Sequence, residues 1–372
     1  MDRRRSSTRH RSTMGPIASI ARRTRRSLAA IVFAIASLPN AAMSAPTHGP
    51  TPNPDRLAQD LLRACIDAPK NLSYVGEIQS TRWGPNGAVA TIARIEHEAP
   101  DRTRRLYVAP DSVYGDYVVT IGTTSYEFDT KRNRLVQTQN PVLSSQVALN
   151  DNFALLVSNY RPVLGANEIV AGRQAATISL INKYTGFRAM RIWIDRETKL
   201  ILAKETYRSN GAIASRVRFD DIKYTNDIPA GLFSTNPPSG YSVVVGYRFS
   251  TLSTDIDKTT HSAGFEALGP RYLPEGFSIL SADISNMNGV RTLHLVYSDG
   301  LRMVSLFENA SGAAADFGSA KPLQTHFGNH DAQYVKQGPT TLLAWRDRGL
   351  SLALVGDLEL KELVAIAASV AP

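Results

Sequence analysis

The sequence predicts an α+β chain of two domains, in which antiparallel strands outnumber helices. Three observations carry that prediction. The stretch 184–243 reads as a three-strand meander, and its Asn210-Gly211 pair favours the positive backbone angles of a tight hairpin turn. One helical pattern near residue 60 is followed by many short strand patterns with turns between them. After a Ser/Thr/Asp-rich stretch, a second hairpin around Asp299-Gly300 and a terminal helix with Leu360, Leu363, Val364 and Ala367 at helical spacing mark a smaller unit.

Residues 46–53 are rich in proline and threonine. Asn53 is placed to cap a helix with Pro54 at its first position, where the missing amide proton costs nothing. Leu57, Leu61, Ala64 and Cys65 then share one helical face. Leu72 to Ser80 and Ala88 to His97 form a strand pair through Gly84-Pro85-Asn86-Gly87. Arg104 to Val108, Tyr117 to Ile121, Ser125 to Asp129 and Arg134 to Thr138 follow as strands, Asn152 to Tyr160 as a helical piece, and Ala175 to Asn182 as a strand.

The meander comprises Arg188 to Ile194, Leu200 to Thr206 and Ile213 to Phe219. Only the third strand alternates cleanly. In the first two, Met190, Ile192 and Ile194 oppose Ala189 and Trp193, and Leu200 and Leu202 oppose Ile201 and Ala203. Strands apolar on both faces require cover on both, from a helix, a second sheet or an apolar ligand. Pro237-Pro238-Ser239-Gly240 closes the domain, which spans 55–246, and 247–265 reads as the linker to a second domain over 266–372. There, Arg291 to Tyr297 and Leu301 to Phe307 pair across a two-residue turn. That register sets Leu295 against Val304, Leu293 against Leu306 and His294 against Ser305, with one face in the core and the other wet. Thr340 to Arg346 and Leu350 to Val355 add two strands.

The formal charge of +9 over 372 residues is concentrated at one end. Residues 1–27 hold nine arginines and one acid, Asp2, so about +1 remains for everything after them, and a nucleic-acid partner loses its main support. Those arginines precede the apolar run Leu28 to Leu38 and the small-residue segment Ala41-Ala42-Met43-Ser44-Ala45, the layout of a secretory signal over residues 1–45 with cleavage near 42–45. Met14 is an alternative start, and Thr24-Arg25-Arg26-Ser27-Leu28 partly resembles a twin-arginine signal. Cys65 is the single cysteine, so an internal disulfide is excluded, and its helical phase places it in the core rather than at a lipoprotein cleavage site.

The search for catalytic motifs finds no HExxH, GxSxG, phosphate-binding loop or GxGxxG. His326 and His330 stand four apart beside Asp331, but Gly328-Asn329 between them breaks a helix, so they are assigned to a surface loop and no metal or cofactor is expected. His97 and His294 are expected as hydrogen-bonded structural histidines. The acidic pairs Asp220-Asp221 and Asp195/Glu197 are expected to be solvated.

At Ala171-Gly172-Arg173, Arg191-Ile192-Trp193-Ile194-Asp195 and Lys199-Leu200-Ile201-Leu202 the sequence resembles the RseB/MucB family of periplasmic regulators of an envelope-stress sigma factor. Leu72 to Gly76 and Ile95-Glu96-His97 resemble the first strands of that family. Leu273-Pro274-Glu275-Gly276-Phe277, His294 to Leu301, Val304 to Phe307, Val355-Gly356-Asp357 and Ile366 to Val370 extend the likeness through the second domain, so it covers about 55–371 in order. Phe219 to Ile222, Ile228-Pro229, Phe233 and the Pro237 to Gly240 exit also resemble the LolA/LppX carriers. Two positions depart from the family pattern: Lys199-Leu200 stands where Gly-Leu is usual, and the stretch at Leu360 lacks the usual proline.

The resemblance implies a LolA-like antiparallel half-barrel wrapped on a helix, with a smaller C-terminal α+β domain. It implies a non-enzymatic periplasmic regulator whose second domain docks the periplasmic part of an anti-sigma factor, and which senses a lipid or lipopolysaccharide ligand. A LolA-type carrier of lipid or lipoprotein is the alternative, a hydrolase with dispersed residues is a third, and homo-oligomerisation is left open. Candidate lipid-lining residues are Tyr74, Ile192, Trp193 and Leu202, for which ordinary core packing is an equal reading. Candidate partner-docking residues are Tyr297, Arg302 and Phe307 on the second-domain hairpin.

Overall fold

The computed structural model describes residues 54–84, 87–139, 152–245, 253–287, 289–313, 315, 317, 320–337 and 340–371. The predicted signal segment, Asn53, Met14 and the Pro85-Asn86 turn lie outside the described residues.

The chain enters through helix α1 (Pro54–Asp67), followed by a single 3-10 turn at Ala68–Lys70. Strands β1 (Tyr74–Gly84), β2 (Gly87–Glu98), β3 (Arg102–Ala109), β4 (Tyr117–Ile121), β5 (Thr124–Asp129) and β6 (Arg134–Gln139) form one antiparallel run. Helix α2 (Phe153–Asn159) follows, and the side chain of Asn152 accepts from the amide of Leu155 to cap it. Strands β7 (Tyr160–Leu164), β8 (Glu168–Val170), β9 (Arg173–Asn182), β10 (Arg188–Asp195), β11 (Ile201–Tyr207), β12 (Ile213–Tyr224) and β13 (Ser242–Val245) complete the sheet. Its order is β13-β6-β5-β4-β3-β2-β1-β12-β11-β10-β9-β7, with β8 also on β9, and every pairing is antiparallel except β13 with β6. The sheet is an unclosed half-barrel curled over α1.

The buried stripe of α1 is Ala58, Leu62, Cys65 and Ile66, whereas Leu57 is 50% exposed. The expected stripe is therefore rotated by one residue. Both stripes have 3–4 spacing, but only this one buries Ile66 with Leu62, at about 2 kcal/mol for each. Leu62, Cys65 and Ile66 join Tyr160, Ile178, Leu180, Ile192 and Phe219 in one core. Strand alternation then sets Tyr74, Ile78, His97 and Ile95 on the same concave face.

The meander residues that opened the question of cover are buried on both sides. Ile192 faces the helix, paired with Ile178 and Lys204, and Trp193, paired with Thr177 and Ala203, faces the other way. The far side is closed by β8: Glu168 accepts from Trp193 Nε1 at 2.9 Å and pairs with Arg191, and Arg218 donates to the carbonyl of Ile169 at 3.1 Å. At the other end of the sheet, Ile228 and Phe233 pack on Val119, Phe128 and Leu135 of the convex face. The segment before the proline exit thus seals a second small core, and the exit itself, Pro237 to Gly240, is exposed before the chain returns as β13.

The second domain starts earlier than expected. Ser253 bridges Ala282, helix α3 (Ile256–His261) contacts its first long strand, and Ala263 is 2% exposed in its core, so residues 253–265 belong to this domain rather than to a linker. Strand β14 (Gly269–Pro270) pairs with the last strand β22 (Val370–Ala371). Strands β15 (Ser278–Met287), β16 (Val290–Ser298), β17 (Met303–Asn309), β18 (Leu323–Phe327), β19 (His330–Gln337), β20 (Thr340–Asp347) and β21 (Leu350–Gly356) form a sheet in the order β15-β16-β17-β21-β20-β19-β18. Helix α4 (Leu360–Ala368) packs Leu363, Ile366 and Ala367 into the core of this domain.

The β16–β17 register differs from expectation by two residues: Leu295 faces Leu306, Tyr297 faces Val304 and His294 faces Phe307. The reason is Asp299, whose carboxylate accepts from the amides of Leu301 and Arg302 at 2.9 and 2.7 Å and holds four residues, not two, out of the ladder. An even shift preserves the core face. The opposite face is not wet, because Thr292, His294, Val296 and Ser298 are all buried.

Candidate ligand and partner sites

The concave face of β3–β6 forms the wall of a cavity of about 440 Å³. Thr103, Arg105 and Tyr107 line it from β3, Val118 and Thr120 from β4, and Val136 from β6. Alternation puts these side chains on one face, because Arg105 pairs with Val118 and Thr103 with Thr120. Asp129 and Asp116 reach the rim but are committed elsewhere: Asp129 to Arg132 at 2.8 Å, Asp116 to the amide and hydroxyl of Thr130 at 2.9 Å each. The Nε of Arg105 is buried with no hydrogen-bond acceptor. Lys204 extends into the same side of the sheet, where burial and then the charge of Arg105 push its pKa down to about 8.

None of the four sequence-predicted lipid residues lines this cavity. Ile192 and Leu202 are fully buried in the first-domain core, and Leu202 is the extra residue of a bulge opposite Ile194. Trp193 lies on the opposite face, under Arg191 and Glu168. Tyr74 is on the concave face but packs against Phe219 and stacks on His97 at 4.9 Å. Two adjacent residues of a regular strand point to opposite faces, so Ile192 and Trp193 belong to different walls. The residues that do line the cavity were missed because charged and hydroxyl side chains alternating on strands read as solvated.

The motif residues behind the family resemblance hold one another. Arg173 and Asp195 form an ion pair, and Tyr224 donates to Asp195 at 2.9 Å. Asp195 is 1% exposed, not solvated as expected. Burial alone would raise its pKa, but the bonds from Arg173, the Glu197 amide and Tyr224 outweigh it and hold the carboxyl below its usual range. Asp220 and Asp221 are exposed, as expected. Lys199 ends this turn at φ +67°, a left-handed position that suits glycine.

The three partner candidates differ in exposure. Tyr297 is 5% exposed in the second-domain core. Phe307 is half-buried and stacks on His294 at 4.3 Å. Arg302 pairs with Asp299 at 3.0 Å and Glu362 at 3.4 Å and lies over the Phe277 ring, so its charge is held between the hairpin turn and α4. The same turn clasps the first domain. Tyr160 donates to the Asp299 carboxylate at 2.7 Å, and Asn159 Nδ2 donates to the carbonyls of Asp299 and Gly276 at 3.0 and 2.8 Å. Gly300, at φ +91°, has room for no Cβ, which would come within 2.4 Å of the Leu156 amide. Ser209 donating to Glu359 at 3.0 Å is a second tie between the domains.

Both structural histidines are as expected. His97 Nε2 is 2.8 Å from the Pro69 carbonyl, so it carries the proton, and Nδ1 accepts from Thr103 at 2.8 Å. His294 bridges Asp283 and Ser305 at 2.8 Å each. These are the bond lengths of a nucleophilic relay, but Ser305 sits mid-strand between β16 and β21, where the backbone amides serve the ladder rather than an oxyanion. His326 and His330 stand on a β18–β19 hairpin, not in a loop. Among the described residues no group of His, Cys, Asp and Glu is arranged to hold a metal, and no helix is long and apolar enough to cross a membrane.

Residues 58–236 match the family model of the MucB/RseB N-terminal domain. The first domain belongs to the MucB/RseB family. Residues 267–370 match a domain of unknown function, DUF4367. Among solved structures, MucB in complex with MucA(peri) aligns at TM-score 0.57 and 19% identity, over 85% of this chain and 98% of that one. The Pseudomonas aeruginosa MucA/MucB complex aligns at TM-score 0.56 and 19% identity, and MucB alone at 0.52 and 18%, each with the same coverage. At these identities the likeness establishes a shared two-domain fold. No curated protein matches the sequence.

Proposed function

We propose that this chain is a non-enzymatic periplasmic regulator of an envelope-stress sigma factor, which binds the periplasmic part of an anti-sigma factor and senses a lipid. The observation that carries the reading is the alignment of both domains, over 85% of the chain, with a MucB that was solved in complex with MucA(peri). The clasp at Asp299 supports it, because the two domains are tied through specific side chains. The concave cavity supports the sensing part. Linkage supplies the logic: a lipid shifts the partner complex only by the difference between its affinities for the bound and free forms.

The test is capture of envelope proteins on the immobilised mature chain. Enrichment of an anti-sigma factor with a single membrane span is expected, with release on adding lipid. Repeated capture without any anti-sigma factor would overturn the reading. A lipid or lipoprotein carrier is the second reading, favoured by the half-barrel and its cavity. Stoichiometric lipid in native mass spectra, together with unaltered stress signalling in a deletion strain, would decide for it.

A further inference from the structure

We propose that residues 262–268 form a pH-responsive strap over the second-domain core, latched by Glu308 while its carboxyl carries a proton and loosened when the proton leaves. The strap is independent of the partner and lipid readings above. Both of its ends are fixed. At one, the Ala263 amide donates to the Thr260 carbonyl at the close of α3, at 3.0 Å. At the other, Gly269 and Pro270 pair with Ala371 and Val370 as β14 and β22. Between them Ala263 and Leu268 are buried in the core while Gly264 and Glu266 are exposed, so the segment has the core beneath it and water above.

Two side chains of the sheet hold the strap down. Arg291 of β16 donates to the carbonyls of Ser262 and Ala263 at 2.5 and 3.2 Å. Glu308 of β17 accepts from the Leu268 amide at 2.8 Å. Alternation puts Glu308 on the same face as Val304 and Leu306, which belong to the core. Its ladder partners Leu293 and Leu352 are buried, and its second oxygen is buried with no hydrogen-bond partner. The flanking strands are bonded along their length, whereas the strap meets Glu308 through the Leu268 amide. The strap is therefore the cover that yields when the carboxylate seeks water.

The groups facing Glu308 do not neutralise it. Tyr297 shares its face from β16, where burial and then the Glu308 charge push the phenol above its usual range. Arg291 also lies on that face but is committed to the two strap carbonyls. From β15, β21 and α4 the core receives Ala282, Leu354 and Leu363. Glu266 of the strap is exposed, and His261 of α3 is exposed and bonds the Asp257 carbonyl of its own helix. Burial outweighs the Leu268 bond and pushes the Glu308 carboxyl up to about 7. Lifting the strap returns that carboxyl to water and its ordinary value, so the open form gains as pH rises from about 4.5 to about 7 and gains no more above that.

The experiment is hydrogen exchange of the two-domain chain, read by peptide at pH 5.5 and 7.5 and corrected for the intrinsic rate at each. Protection of peptides covering 262–268 is expected to fall about twentyfold between the two, with peptides of β16, β17 and β21 changing by less than about threefold. Glu308→Gln cannot ionise and keeps an acceptor for the Leu268 amide; it is expected to cut the step below about twofold and hold the strap at its acid-side protection. Glu308→Met, which removes the acceptor too, is expected to lower strap protection equally at both pH values, so either variant that folds carries the test. Equal strap protection at the two pH values in the native chain, or a step that persists in a folded variant, overturns the proposal. A loss shared equally by β16, β17 and β21 would place the effect in unfolding of the whole domain and overturn the strap.

Discussion

Two buried carboxylates, one in each domain, are held on different terms. In the first, Asp195 has Arg173, Tyr224 and a turn amide as partners, and each nitrogen of His97 meets an oxygen at 2.8 Å. In the second, Glu308 is fully buried with one oxygen on the Leu268 amide at 2.8 Å and the other on nothing, and burial pushes its pKa up to about 7. The difference teaches that a buried charge is not one kind of feature. A fully partnered carboxylate locks a turn, whereas a half-partnered one works against the fold that contains it.

The comparison can be broken in three ways. Glu308→Gln should stabilise the second domain by roughly 3 kcal/mol at pH 8 and by almost nothing at pH 4. The sign follows from the raised pKa: the folded state holds its proton longer than the unfolded one, so stability falls as pH rises from about 4.5 to about 7 and is level above that. Urea unfolding at pH 4, 6 and 8 measures it, and a gain independent of pH would contradict the account. His97 gives the first domain the opposite slope. Burial lowers its pKa, so its contribution is complete above 6.5 and is lost as pH falls below that value.

Asp195→Asn should cost the first domain about 3 kcal/mol, because Arg173 then loses its buried partner. Hydrogen exchange resolved by peptide would show faster opening around β9–β10 with the second domain unchanged; equal loosening of both would mean the domains open as one. The smallest effect is expected at Lys199. Replacing it with glycine relieves a left-handed backbone and should stabilise the first domain by about 1 kcal/mol. A loss there would show that the side chain, which donates to the Arg196 carbonyl, matters more than the backbone.

Much of the architecture was legible because it is written locally. Asn210-Gly211 and alternating apolar residues locate the meander, and the two-residue register error at β16–β17 left the core face of that hairpin correct. Strands β7, β15 and β19 were not read from the sequence, and neither were β8, β13 and β18. The last three are short, and the residues of β13 and most of β18 are exposed, so burial leaves little pattern on them. Asp195 was misread because its partner lies 22 residues away, on the preceding strand. The cavity was illegible for a related reason: Thr103 and Val136 stand 33 positions apart in the chain, and only the order of strands brings them to one face.

Two hairpin turns of the second domain now invite a genetic contrast. The Gly328-Asn329 turn is exposed, and a Cβ at Gly328 meets nothing within 4 Å. The Asp299-Gly300 turn is buried, closes its own hairpin and docks on Leu156, Asn159 and Tyr160. A substitution there is paid for twice, once in the hairpin and once at the domain junction. Saturation mutagenesis scored by function should therefore find the turn at 328–329 restricted only by the left-handed φ of +53° at Gly328, and the turn at 299–300 nearly closed to change.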